Sequence, residues 1–295
     1  MPTDVIGLFE GRSPIVFDIG KISDAIKKSV EVEYPEYAIP EPPAELFEML
    51  DYLPEEFQDE TEEQYIDALM LATQTSYENG LYQFAYVQYH MLFMTAVYYA
   101  LLKVSLLHKE EMDKALYYLM KDRFPDFYAP SNTKGGKLYF GSFAIINESD
   151  VFMLLRIVGM DSDLQGQLKK LVEKRNVYAH ANGQLRLTSE DLFLSDIKEY
   201  NRKIKAVYAL LKGQITELYF SIVTDPTFYD PEIRAYTEPR EQIEQELVRQ
   251  YALSRHELNW LRKIKLDTFR DCEGSEQIRE LHKALIDYYK TLDEE

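Results

Sequence analysis

Apolar residues recur every three to four positions along most of this chain, with charged residues between them, as in amphipathic α-helices. The clearest example is the apolar stripe formed by Leu164, Leu168, Leu171 and Val172. Three lysines, at positions 169, 170 and 174, fall away from that stripe on the polar side of the same helix. The pattern therefore predicts an all-α protein.

Local sequence signals set the expected bounds of the helices. We predict helices at about residues 44–52, 61–78, 81–107, 110–123, 148–158, 162–180, 188–223, 240–252, 254–266 and 276–290. The expected N-caps are Thr61, Asp161, Thr188 and Ser254. The expected helix ends are Asn79-Gly80 and Ala181-Asn182-Gly183, because Asn and Gly tolerate the left-handed conformation.

The chain divides by composition into three predicted parts. Residues 1–59 are an N-terminal extension with short strands or extended arms at 5–9 and 15–17, a short helix at 21–30 and an acidic, Pro-rich connector. Residues 60–224 are a helical bundle, with a hairpin expected through 137–140. A Pro-rich linker then leads to a small helical module at 225–295. This module is either an RNA-docking unit or, more simply, an extension of the bundle that buries Trp260.

The segment Leu81–Leu102 contains no Asp, Glu, Lys or Arg, so a membrane-spanning helix is one interpretation of it. Its many tyrosines and glutamines make it too polar for lipid, and we predict instead the central helix of a bundle or one face of a dimer, with no membrane contact. His90 is then a satisfied core histidine or an interface group. The single cysteine, Cys272, and an N-terminus without a signal-peptide pattern favour a cytoplasmic location.

The net charge of −18 argues against nonspecific coating of nucleic acid. The charge is unevenly distributed, however, since residues 29–102 contain fifteen acidic residues and no Lys or Arg. Residues 165–212 contain ten Lys and Arg against five acidic residues, a local net charge of +5. A basic field of this kind can attract a phosphate backbone to one site of an otherwise acidic molecule.

The sequence Arg175-Asn176-Val177-Tyr178-Ala179-His180 lies in this basic segment, where the amphipathic helix ends. An arginine stays protonated and offers a planar fork to phosphate oxygens, and a histidine can transfer protons near neutral pH. Positions five apart are about 140° apart on an ideal helix. Arg175 and His180 therefore converge on one ligand only if the helix ends between them or two copies of the motif meet. Asn176 and His180, four positions apart, share a face.

This arrangement resembles the signature of the HEPN superfamily (higher eukaryotes and prokaryotes nucleotide-binding), in which an arginine, usually followed by a polar residue, precedes a histidine by four to six positions. The resemblance covers about residues 60–222. It implies a helical bundle that forms a homodimer and joins two motifs into one metal-independent endoribonuclease site. The implied residues are Arg175, Asn176 and His180 for catalysis and Tyr178, Lys174 and Lys170 for substrate binding. Tyr178 would stack on a base, or is equally well buried packing. The expected role is a toxin or antiphage defence effector that cleaves RNA, with an antitoxin or other regulatory protein as a further partner.

Two alternatives remain open. One is a non-catalytic HEPN-like module in which the acidic 29–102 segment contacts a basic partner protein, and the other is a nucleotide-sensing module in which Arg175 and Asn176 hold a phosphate. Without catalysis, Arg175 would form an ion pair with Glu173 or another acidic residue, and His180 would cap its own helix. The other histidines show no metal-ligand spacing and no phosphate-binding loop is present, so we expect neither a metal nor a cofactor.

Overall fold

The regular structure of this protein is helical throughout the residues that the computed structural model describes, which are 42–180, 186–187 and 189–292. No strand forms within these residues, so the predicted all-α class is confirmed. Several predictions lie outside the described residues: the short strands at 5–9 and 15–17, the helix at 21–30, the helix end at 181–183 and the cap at Thr188.

Eleven α-helices form within the described residues, together with short 3₁₀ segments. Phe124–Phe127 and Pro226–Tyr229 are single turns, and the other nine helices are labelled in chain order. They are α1 (Glu60–Glu78), α2 (Tyr82–Leu107), α3 (Lys109–Met120), α4 (Glu148–Val151), α5 (Ser162–Ala179), α6 (Glu190–Val223), α7 (Pro239–Ile243), α8 (Arg255–Leu261) and α9 (Ser275–Leu292). A 3₁₀ segment, Phe152–Val158, continues α4, and a π-helical segment, Glu244–Arg249, continues α7. The predicted bounds of the long helices agree with these to within a few residues.

The central element is α2, which contacts α1, α3, α5 and α6. By length and composition it could cross a membrane, but most of it is buried among the other helices of this fold. Its aromatic side chains, among them Tyr86, Tyr89 and Phe93, are fully buried. The absence of charge in Leu81–Leu102 is therefore accounted for by burial on nearly all sides of a bundle core.

Three local predictions are wrong in detail. Asp59, not Thr61, is the N-cap of α1: its carboxylate accepts a hydrogen bond from the backbone N–H of Glu62 at 3.1 Å and another from the Thr61 hydroxyl. The predicted helix at 44–52 is two 3₁₀ turns, Ala44–Leu46 and Leu50–Tyr52. The hairpin through 137–140 is limited to one bridge between Lys134 and Lys137, because Phe140 begins a 3₁₀ segment and stacks on Tyr99 in the core.

The C-terminal helices share the core of the bundle. Ile243, Leu258 and Leu281 are fully buried in the same apolar cluster as α2 and α6, and α8 contacts both α6 and α9. From Pro42 onward the chain forms one compact unit. The predicted boundaries at residues 59 and 224 stay a prediction about which parts fold independently.

Candidate functional site

The helix α5 carries the predicted motif to the edge of the bundle. Its first turn is capped as predicted, because the Asp161 carboxylate accepts a hydrogen bond from the Leu164 N–H at 2.7 Å. The buried side chains of Leu168 and Leu171 hold its apolar stripe against the core. The last helical residue is Ala179, and His180 adopts an extended conformation (φ −71°, ψ 133°). The helix therefore ends between Arg175 and His180, one of the two conditions for their convergence.

Arg175 is half-buried and forms an ion pair with Glu148, the first residue of α4. Nη2 of the guanidinium donates to Oε2 of the carboxylate. The Nε atom of Arg175 is buried and has no hydrogen-bond partner among the described residues. Arg175 thus pairs with an acidic residue 27 positions away, rather than with its helical neighbour Glu173.

The same Glu148 oxygen also contacts a buried histidine of α2. His90 Nε2 lies 3.1 Å from Glu148 Oε2, and only 1% of the His90 side chain is exposed. His90 Nδ1 lies 2.7 Å from the Tyr200 hydroxyl of α6, which in turn lies 3.1 Å from the Tyr86 hydroxyl. A continuous hydrogen-bonded chain therefore leads from the guanidinium of Arg175 into the core.

The charges along this chain follow from burial and from the neighbouring ions. Burial lowers the pKa of His90, although Glu148 acts in the opposite direction, so the imidazole is neutral near pH 7. Burial alone would raise the pKa of Glu148, but the hydrogen bonds and charges of His90 and Arg175 outweigh it and lower that pKa. The Glu148 carboxylate is therefore ionised, and the neutral imidazole donates a hydrogen bond to it through Nε2.

His180 is exposed at the helix end, and its side chain makes no hydrogen bond or ion pair with a described residue. Only its backbone N–H is engaged, donating to the Asn176 carbonyl at 3.1 Å. Asn176 itself is half-buried. Among the described residues, no hydrogen bond links the side chains of Arg175 and His180.

The three residues predicted to bind substrate have different surroundings. Tyr178 packs edge-on against Tyr86, with ring centroids 4.8 Å apart, and its carbonyl accepts a hydrogen bond from the Gln83 side chain. Lys174 forms an ion pair with Asp196 of α6. Lys170 is exposed and forms no ion pair with a described residue.

The basic segment is less basic in three dimensions than its sequence suggests. Lys198 pairs with Glu45 at 3.1 Å, and Lys169 lies 4.0 Å from Asp150. Together with Glu148, these carboxylates come from outside residues 165–212, where a count along the sequence does not register them. Tertiary pairing therefore neutralises part of the local charge of +5.

The sequence interpretation of His90 as a satisfied core histidine is confirmed, since both ring nitrogens have partners. Its connection to Arg175 through Glu148 was missed. The only signal for Glu148 was its position at a predicted helix start, which says nothing about where its carboxylate lies. Among the described residues, no group of three or more His, Cys, Asp or Glu side chains is arranged to hold a metal ion.

Comparison with known proteins yields no relative from which a function could be inferred. No protein-family model, curated protein or solved structure matches this chain. The geometry at the end of α5 and the short motif it carries are therefore the basis for a functional proposal.

Proposed function

We propose that the end of α5 is one half of a metal-independent endoribonuclease site of the HEPN type, in a HEPN-like bundle that pairs with a second copy of itself. The observation that carries this proposal is the position of His180, which is exposed where α5 ends and has no side-chain partner among the described residues. An imidazole in that position is free to exchange protons with a ligand. Arg175, five positions earlier, provides a permanent positive charge.

The resemblance to the HEPN superfamily calls for a second copy, because one His180 cannot both accept the 2′ proton and protonate the leaving oxygen in the same step. An apolar surface suited to such pairing lies beside the motif on α2. The residues Gln83, Tyr86 and His90 of α2 contact α5 or the chain of hydrogen bonds that ends at Arg175. Around the axis of α2, Phe84 lies about 100° from Gln83, and Met91 lies about 100° from His90. The Phe84 side chain is 53% exposed and the Met91 side chain is 40% exposed. A two-fold pairing over Phe84 and Met91 would bring two α5 ends to one interface.

The chemistry would be an attack of the ribose 2′-oxygen on the adjacent phosphorus. The O2′–P bond forms and the P–O5′ bond breaks, leaving a 2′,3′-cyclic phosphate and a free 5′-hydroxyl. One His180 accepts the 2′ proton and the partner copy's imidazole protonates the leaving 5′-oxygen. The two Arg175 guanidinium groups bind the phosphate oxygens as negative charge develops on them. The corresponding role is a cytoplasmic toxin or antiphage effector, restrained by an antitoxin or other regulatory protein.

A non-catalytic module is the second candidate, and the ion pair between Arg175 and Glu148 favours it. A guanidinium already neutralised by a carboxylate has less attraction for phosphate. In this case the exposed apolar residues of α2 would bind a protein partner, and the motif would serve only to hold α5 against α4.

The proposal is tested by incubating the purified full-length protein with end-labelled total RNA, with and without EDTA. We expect cleavage in both conditions and cyclic-phosphate ends. His180→Ala should abolish cleavage without changing the thermal melting temperature, because the side chain is exposed and has no partner among the described residues. Arg175→Ala should also abolish cleavage, but with some loss of stability, because it deprives the half-buried Glu148 of its cation.

Glu173→Gln is the matched control, since Glu173 is an exposed residue of α5 just before Arg175. It should leave both cleavage and melting unchanged. Cleavage that requires a divalent cation, or full activity in His180→Ala, would rule out the proposed site. Absence of any RNase activity in the wild-type dimer would favour the non-catalytic module.

A further inference from the structure

The ion pair of Arg175 is the outer end of a network that involves four helices. Glu148 Oε2 lies between two donors, Nη2 of Arg175 on α5 and Nε2 of His90 on α2. His90 is anchored in turn by Tyr200 of α6 at 2.7 Å. The carboxylate of α4 is thus held from both sides, and its orientation is fixed by a core histidine.

The network limits what Arg175 can present to a ligand. Nη2 is engaged by Glu148, and Nε is buried without a partner. Nη1 is the remaining guanidinium nitrogen. It has no hydrogen-bond partner among the described residues and is not one of the buried atoms left without a partner. The planar guanidinium is thus held in one orientation with one edge exposed. A donor fixed in advance in this way stabilises negative charge as it develops on the phosphate oxygens.

A buried polar chain is not a general requirement for the stability of a helical bundle. Apolar side chains of similar volume in place of a buried hydrogen-bonded group are often neutral or stabilising. The chain also ends at the arginine of the motif rather than at a second structural element of the core. In this it differs from the Lys103–Glu257 and Tyr219–His282 pairs, whose members all lie in the core.

We infer that Glu148 and His90 are positioning residues for Arg175: His90, held by Tyr200, orients the Glu148 carboxylate, and Glu148 orients the guanidinium toward the phosphate. This inference rests on the proposed function for its catalytic consequence. Its structural content, a coupling between His90 and Arg175 through Glu148, holds or fails independently of RNase activity.

The coupling is measured by the titration of His90 in the full-length protein, followed by NMR of histidine-labelled samples. The groups that face His90 are Glu148 of α4, Arg175 of α5 and Tyr200 of α6. Glu148→Gln removes a negative charge and should lower the pKa of His90 further, whereas Arg175→Ala removes a positive charge and should raise it.

Asp150→Asn is the matched control, because this acidic residue of α4 is half-exposed and faces Lys169 instead. If neither test variant shifts the pKa of His90 more than Asp150→Asn does, His90 and Arg175 are not coupled through Glu148.

The catalytic consequence is measured by steady-state cleavage of a defined RNA. Glu148→Gln should lower kcat about 10- to 100-fold with a smaller change in KM, because a misplaced guanidinium loses transition-state contacts more than ground-state binding. Asp150→Asn should leave kcat unchanged. A wild-type kcat in Glu148→Gln would overturn the positioning role.

Two substitutions of His90 separate positioning from folding. His90→Gln keeps an N–H donor near the place of Nε2 and should retain most of the activity, whereas His90→Leu should lose it to the same extent as Glu148→Gln. Both are compared at a temperature where circular dichroism shows them fully folded. Equal activity in the two folded variants would contradict the inference. If the wild type does not cleave RNA, the proposed function fails. The titration of His90 still shows whether His90 and Arg175 are coupled through Glu148.

Discussion

At the scale of single residues, the Lys103–Glu257 ion pair is the most deeply buried charge of the described chain. Only 2% of the Lys103 side chain and none of the Glu257 side chain is exposed. The same Glu257 oxygen accepts hydrogen bonds from the Ser254 N–H and hydroxyl, each at 2.9 Å. Burial lowers the pKa of Lys103, and Glu257 opposes this shift. The pair joins the central helix α2 to the start of α8.

Removing only the cation should be far more damaging than removing both charges. Lys103→Met leaves an uncompensated carboxylate in the core, and we expect it to cost about 3–5 kcal/mol of unfolding free energy. The double variant Lys103→Met/Glu257→Gln should recover part of that loss, since an amide keeps a hydrogen-bonding group at Ser254 without a buried charge. Urea denaturation of the single and double variants measures the difference. A double variant less stable than Lys103→Met would contradict this account.

At the scale of an element, the start of α1 depends partly on a contact with a residue far outside that helix. Asp59 caps the helix locally, and its second carboxylate oxygen accepts a hydrogen bond from Lys134 at 2.6 Å. That bond and the one from Thr61 lower the pKa of Asp59 to about 2. The stabilisation is therefore fully present above the unfolded value of about 3.9 and is lost as pH falls toward 2.

The two roles of Asp59 are separable by substitution. Asp59→Asn keeps the cap but loses the ion pair, whereas Asp59→Ala loses both, so Asp59→Ala should be less stable than Asp59→Asn by about 1 kcal/mol. Thr61→Ala, at the position first expected to be the cap, should cost clearly less than Asp59→Ala. These values come from urea denaturation at pH 7. A Thr61→Ala variant as unstable as Asp59→Ala would return the capping role to Thr61.

At the scale of the whole molecule, the exposed apolar residues of α2 predict self-association. Phe84→Asp should convert the proposed dimer to a monomer at micromolar concentration, because a charge at the centre of an apolar interface is left unpaired. Leu106→Asp is the matched control, since Leu106 is 55% exposed on the same helix but about 33 Å away along its axis. Sedimentation velocity distinguishes the two states. A wild-type monomer that cleaves RNA would exclude the composite site.

The buried histidines predict a stability that depends on pH. Burial lowers the pKa of His90 and of His282, which is held by Tyr219 and by the Ile264 carbonyl. Because the unfolded chain binds these protons more readily, stability is full above about pH 6.5 and falls as pH drops toward the folded pKa values.

The slope of the unfolding free energy against pH should approach about 1.4 kcal/mol per pH unit for each histidine. Urea denaturation between pH 7.5 and 5.5 tests this, and His282→Gln should reduce the slope. A stability independent of pH over this range would contradict it.

The sequence by itself determined the helices and many of their ends, because these depend on neighbouring residues. The period of apolar residues predicted α1, α5 and α6, and the uncharged run Leu81–Leu102 predicted α2. Gly80, with φ +68°, ends α1 as expected of a residue without Cβ, and Asp161 caps α5 as predicted. At Ser254 the expected capping start is a full capping box with Glu257. All of these signals act within about one helical turn.

Tertiary structure alone decided which groups meet. Glu148 is 27 residues from Arg175 and 58 from His90, and Tyr200 is 110 from His90. Nothing in the local pattern specifies such pairs, because a helical period fixes which face a residue occupies but not what lies opposite. The sequence therefore placed the Arg175–His180 motif at a helix end. Only the packing of α4 and α2 against α5 showed that Arg175 is held by a carboxylate, while the His180 side chain has no partner among the described residues. The reason is distance along the sequence. Helix propensity and capping depend on neighbouring residues, whereas ion pairs and burial depend on how helices distant in sequence pack together.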